Sequence, residues 1–152
     1  MIRVAVFLLL CLSVVAASAV ARAQASTDAW NPRTGDAWID GTLADINRYG
    51  ERYPDAFVDE LVRYYGAPRQ FVSGLLEAEG WLPGDVYYAC AVGRAVGRSC
   101  RYVAEARNRD PDAGWGELAR RLGVEPGSEA FERLEQGFAP TYERWARPLP
   151  PH

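Results

Sequence analysis

Apolar positions recur at helical spacing along most of this chain. Ile39, Leu43 and Ile46 fall four and then three residues apart, which puts them on one helix face and predicts a first helix over 37–50. Pro54 suits the start of a second, where its missing N–H has no partner to lose, and Phe57, Leu61 and Tyr64 form a buried stripe up to Gly66. A third runs from Pro68 to Gly80 with Val72, Leu75 and Leu76 on one side, and WLPGD is a turn. Val86, Ala89, Cys90, Gly93 and Val96 predict a fourth helix over 85–96 whose small side chains let a neighbouring backbone approach. Ser99 is an N-cap for a fifth, carrying Tyr102, Val103 and Ala106. Trp115, Leu118, Ala119 and Leu122 mark a sixth, and Ser128 caps a seventh with Phe131 and Leu134 inside. No stretch alternates with a period of two over strand length. The expected fold is therefore all-α, a compact bundle of about seven short helices.

Three segments repeat weakly: LVRYYGAPRQFV, VGRAVGRSCRYV and LARRLGVEPGSEAF. Each places apolar residues around a glycine, and Gly66, Gly97 and Gly123 are expected in the left-handed conformation that ends a helix. The helices then pair as three helix-turn-helix hairpins over 37–138, after a disordered start (24–36) and before a Pro-rich, irregular tail (139–152) from which Tyr142 and Trp145 pack back. Tyr64 and Tyr65, like Tyr87 and Tyr88, are adjacent and cannot all face one core. One of each pair is expected at the surface.

Residues 1–23 combine Arg3, an apolar run and a small-residue A-x-A end, the pattern of a secretory signal peptide, with an uncleaved membrane anchor as the alternative. Removing them leaves 129 residues with 15 Arg against 20 acidic side chains, a net charge of −5, and no other candidate span. Export to the bacterial periplasm or exterior follows. In that oxidising setting Cys90 and Cys100 read as a disulfide, worth about 2 to 3 kcal/mol in the chain-entropy treatment. Two buried thiols are the alternative, because a hairpin turning near Gly97 joins these cysteines only if its helices cross steeply.

Several chemistries drop out. The last predicted helix offers Glu129, Glu132 and Glu135 against a single Arg133 and would repel a phosphate backbone, so no nucleic-acid partner is expected. His152 is the sole histidine and closes the tail, which leaves no base for a Ser-His or Cys-His mechanism and too few ligands for zinc. DPDAGWGE has Trp115 where a calcium loop needs glycine. Neither metal nor cofactor is expected.

Two groups of candidates remain. Glu77 and Glu79 end a helix beside Trp81, where an aromatic wall can raise a general acid's pKa; Asp85 is the candidate second carboxylate of a glycosidase, across a cleft of roughly 5 to 9 Å. Residues 94–121 hold seven arginines against four acids, and Arg98, Arg101, Arg120 and Arg121 are candidates for an anion-binding patch. Five Trp and eight Tyr exceed what capping a few helices needs and suit a contact surface.

GWGELARRLGVEPGSEAF, preceded by an alanine-rich helix and GRSCRYV, resembles a box (roughly Gly-Trp-Gly, Ala, Leu-Gly, Pro-Gly-Ser, Phe) that recurs in small exported bacterial helical proteins of uncharacterised function. The likeness covers about residues 85–138 and implies an all-helical exported domain, with no activity to transfer. Together these features point to a binding or interaction module for an envelope protein or cell-wall polymer. A cell-wall glycosidase and a purely structural envelope protein are the alternatives.

Overall fold

A computed structural model describes residues 30–152; the expected signal peptide lies outside the described residues. Pro32–His152 form one compact unit of eight helices: α1 (Ala37–Arg52), α2 (Pro54–Tyr65), α3 (Arg69–Glu77), α4 (Pro83–Ala95), α5 (Cys100–Arg109), α6 (Trp115–Arg121), α7 (Glu129–Gln136) and α8 (Phe138–Arg144). There is no strand among the described residues, and none of these helices is long and apolar enough to cross a membrane.

Local signals set most helix ends. Asp36, Ser99 and Ser128 accept hydrogen bonds from the backbone N–H of Ile39, Tyr102 and Phe131, each satisfying a donor that the first helical turn leaves unpaired. Gly66, Gly97 and Gly123 have φ of 67°, 69° and 91°, the left-handed region that glycine enters without a Cβ clash. The first two of these turns close hairpins, α2 on α3 and, most intimately, α4 on α5. At the third the turn is made, but α7 packs on α4 and α8.

α4 is the axis of the bundle, packed against α1, α2, α3, α5 and α7. Its small residues permit this crowding. A Cβ on Gly93 would come within 2.9 Å of the Arg98 carbonyl oxygen and 3.0 Å of that of Ser99. The missing side chain therefore lets the start of α5 close on α4, and the Cys90 and Cys100 sulfurs sit at bonding distance, 2.11 Å, with Cα atoms 4.1 Å apart.

Encirclement of α4 also corrects an expectation. Tyr87 and Tyr88 are both buried, at 0% and 2% exposure, because a helix covered all round has an inner partner for each: Tyr65 and Phe138 for the first, Trp115 for the second. The Tyr64–Tyr65 pair does divide: Tyr64 is 47% exposed, although its spacing puts it in the buried stripe, and Tyr65 is half-buried. Tyr102 is 43% exposed, and the guanidiniums of Arg144 and Arg98 lie over the Tyr64 and Tyr102 rings at 3.8 Å and 5.4 Å.

Of the start expected to be disordered, residues 24–29 lie outside the described residues, and residues 32–36 are pinned: Trp115 and Gly116 donate backbone N–H bonds to the Pro32 and Arg33 carbonyls, and Thr34 bonds the Asp40 carboxylate. The tail opens as α8, with Tyr142 buried and Trp145 stacked on Tyr49 at 3.9 Å, as expected of these two. Beyond α8, Trp38 donates its indole N–H to the Pro150 carbonyl and stacks on His152 at 3.9 Å.

Asp45 on α1 ties the tail down, accepting from Arg48, Arg147 and the Tyr142 hydroxyl. Burial works against its charge, but the bonds from Arg147 and Tyr142 outweigh it and hold its carboxyl below the ordinary 3.8. A carboxylate depressed on folding stabilises the protein above its unfolded pKa and loses that contribution as pH falls through the folded value. We expect the urea midpoint to drop between pH 6 and pH 3, and Asp45→Asn to shrink that drop while lowering the midpoint at pH 6.

Candidate functional site

The ends of three helices meet at a cleft of about 280 Å³ lined by Tyr65 of α2, by Ala91, Arg94 and Ala95 of α4, by Arg133, Leu134 and Gln136 of α7, and by Gly137 and Pro140. Its origin is a pair of alanines on α4, on a different side from Gly93. Ala91 and Ala95 lie one turn apart, so the recess between α4 and α7 stays open where larger side chains would fill it.

Each arginine is held by a helix end. Arg94 donates to the Tyr64 carbonyl, 3.2 Å away, and lies over the Tyr65 ring at 5.4 Å. Arg133 donates through Nε to the Ala95 carbonyl at 3.0 Å. Both carbonyls belong to the last turn of a helix, where no intrahelical donor remains and the macrodipole is negative, so cations are favoured there. Among the described residues Arg94 pairs with no carboxylate. Arg133 reaches only Glu129, at 3.5 Å, whose side chain is 91% exposed and so neutralises it weakly. Among the described residues no acid lines the cleft.

Behind the cleft lies a chain of buried polar groups. Tyr65 donates to the Tyr87 hydroxyl (2.7 Å), Tyr87 to Thr141 Oγ1 (3.0 Å), and Thr141 to Glu60 Oε1 (3.0 Å). Burial pushes the Tyr87 hydroxyl well above its ordinary pKa and raises that of Tyr65, which keeps both protonated and donating. Glu60, 3% exposed, ends the chain and is paired with Arg144. Every donor in it therefore points toward one buried charge, and Tyr65 is fixed at the cleft wall by groups distant in sequence.

The residues singled out from the sequence fall elsewhere. Glu79 lines a shallow depression of about 300 Å³ with Arg101 and Phe71 and accepts from Asn108 at 2.8 Å. Asp85 does not line that depression and instead accepts the Trp115 indole N–H at 2.6 Å. Glu77 is exposed at the end of α3. Glu79 and Asp85 thus have different partners, and neither Glu77 nor Asp85 lines the Glu79 depression. The arginine group is likewise divided: Arg98 and Arg121 line one depression, Arg101 another, and Arg120 is exposed. Arg121 is already paired with Asp110 and Glu117, while Arg101 lies over the Phe71 ring at 4.4 Å.

Arg94 and Arg133 are the residues that sequence reasoning passed over. One signal was available. Arg94 has Cys90, Ala91, Gly97 and Arg98 at its three- and four-residue neighbours, so no acid on its own helical face can neutralise it. Among the described residues no group of three or more His, Cys, Asp or Glu is placed to hold a metal ion. Comparison with protein families, characterised proteins and solved structures gives no match.

Proposed function

We propose that this chain is an exported, non-enzymatic binding module of the bacterial cell envelope whose ligand is anionic and enters the Arg94–Arg133 cleft. One observation carries the reading: two guanidiniums line a single recess that has no carboxylate in its wall. Guanidinium clusters of this kind recognise carboxylate or phosphate by charge and by paired N–H donors. Bonding distance between Cys90 and Cys100 suits an oxidising compartment, as does the signal-like start. A cell-wall polymer, with anionic groups along it, is the partner class that fits both location and charge.

The glycosidase alternative has less behind it, since Glu79 and Asp85 serve different surroundings. Incubating the purified protein with isolated peptidoglycan separates the two readings. We expect the protein to sediment with the polymer and release no soluble fragments. Release that Glu77→Gln or Glu79→Gln abolishes would make the protein an enzyme.

A further inference from the structure

We propose that the Arg94–Arg133 cleft takes the free C-terminal carboxylate of a short peptide whose last residue has a small apolar side chain. The proposal rests on the reading of this cleft as the binding site and adds the class of ligand. Each guanidinium carries five N–H donors, and one or two are used within the protein. Arg94 spends one on the Tyr64 carbonyl, and Arg133 spends one on Ala95 with a long contact to Glu129. The remaining donors form planar forks, the geometry that a carboxylate meets with two parallel hydrogen bonds.

The rest of the lining argues for a peptide end over a bare anion. Ala91, Ala95, Leu134 and Pro140 supply apolar surface beside the arginines, which inorganic phosphate would leave uncovered and a methyl-sized side chain would cover. Gln136 brings an amide that can both donate and accept, as a peptide bond requires. About 280 Å³ is at the small end of ligand sites. It holds the last residue or two of a peptide, with the methyl groups of Ala91 and Ala95 as the apolar surface a small terminal side chain meets.

Calorimetric titration of the purified protein with acetyl-alanyl-alanine, the same dipeptide as its C-terminal amide, acetyl-alanyl-tryptophan and inorganic phosphate tests this. Expected is binding of the free acid, with the amide and the tryptophan peptide each at least tenfold weaker. Arg94→Gln and Arg133→Gln should each weaken the free acid at least tenfold while lowering the thermal midpoint only by the few degrees that losing one helix-end hydrogen bond entails. Equal binding of acid and amide, or no binding of the acid, overturns the proposal. Phosphate binding without dipeptide binding overturns the ligand class but leaves an anion-binding cleft. Failure of both anions, with peptidoglycan retention unchanged in Arg94→Gln, overturns the cleft itself.

Discussion

Replacing Trp115 with alanine should lower the unfolding free energy by about 4 kcal/mol, the largest loss expected from a single side chain here. Trp115 is 1% exposed, meets the rings of Trp81 and Tyr88 edge-on at 5.9 Å and 5.4 Å, and lies under the Arg107 guanidinium. Alanine would leave a ring-sized void at the start of α6, in a region whose backbone is already bonded to residues 32 and 33 and cannot easily collapse inward. It would also strip Asp85 of the indole donor. Trp115→Phe separates these effects: it keeps most of the ring packing, loses the N–H, and should cost about 1 to 2 kcal/mol. Urea unfolding at neutral pH measures both. A loss under about 1 kcal/mol for the alanine variant would mean that the α6 start is not part of the core.

Arg144→Met should be the second most damaging change, at about 3 kcal/mol, for a different reason. It leaves Glu60, 3% exposed, as a buried charge without its cation, and breaking such a pair from one side typically costs 3 to 5 kcal/mol. The lower figure applies because the Arg144 side chain is itself 25% exposed and water can replace part of it. Glu60→Gln in the same background removes the stranded charge yet keeps an acceptor for Thr141, so the double variant should recover most of the loss. A double-mutant cycle from denaturant unfolding reads that coupling directly. Additive losses would show that the ion pair does not hold the Tyr65–Tyr87–Thr141 chain together.

Local signals were the legible part of the fold. Ile39, Leu43 and Ile46, all at 0% exposure, obey their spacing, and the caps at Ser99 and Ser128 act where a hydroxyl before a helix should. What escaped depends on tertiary surroundings. Periodicity treats a helix as having one inner face, whereas α4 is enclosed, so no rule of pairs could bury Tyr87 and Tyr88 together. An arginine over an exposed tyrosine ring, as at Tyr64, is invisible to a hydrophobicity pattern. The segment before α1 left a trace that composition hid: a Cβ on Gly116 would collide with the Thr34 carbonyl, so the second glycine of Gly-Trp-Gly makes room for residues 33 and 34.

The cleft was less legible than the fold because its parts are far apart in sequence. Tyr65, Arg94 and Arg133 come from three helices, and the Glu60–Thr141 bond behind them spans 81 residues. Reading along the chain favoured the dense arginines of 94–121, but density drew acids with it, and Arg121 is spent on Asp110 and Glu117. Arg94, with no acid three or four residues away, escapes that pairing, whereas Arg133 has Glu129 four residues before it and offered no such signal.

The most direct measurement compares two pairs of substitutions in sedimentation with isolated peptidoglycan: Arg94→Gln with Arg133→Gln at the cleft, and Arg98→Gln with Arg121→Gln on the neighbouring surface. Each pair removes the same charge, so a nonspecific attraction would respond equally to both. The account predicts that the first pair abolishes retention and the second leaves at least half of it. Retention that survives the first pair and disappears with the second would contradict the assignment of the ligand site to the Arg94–Arg133 cleft.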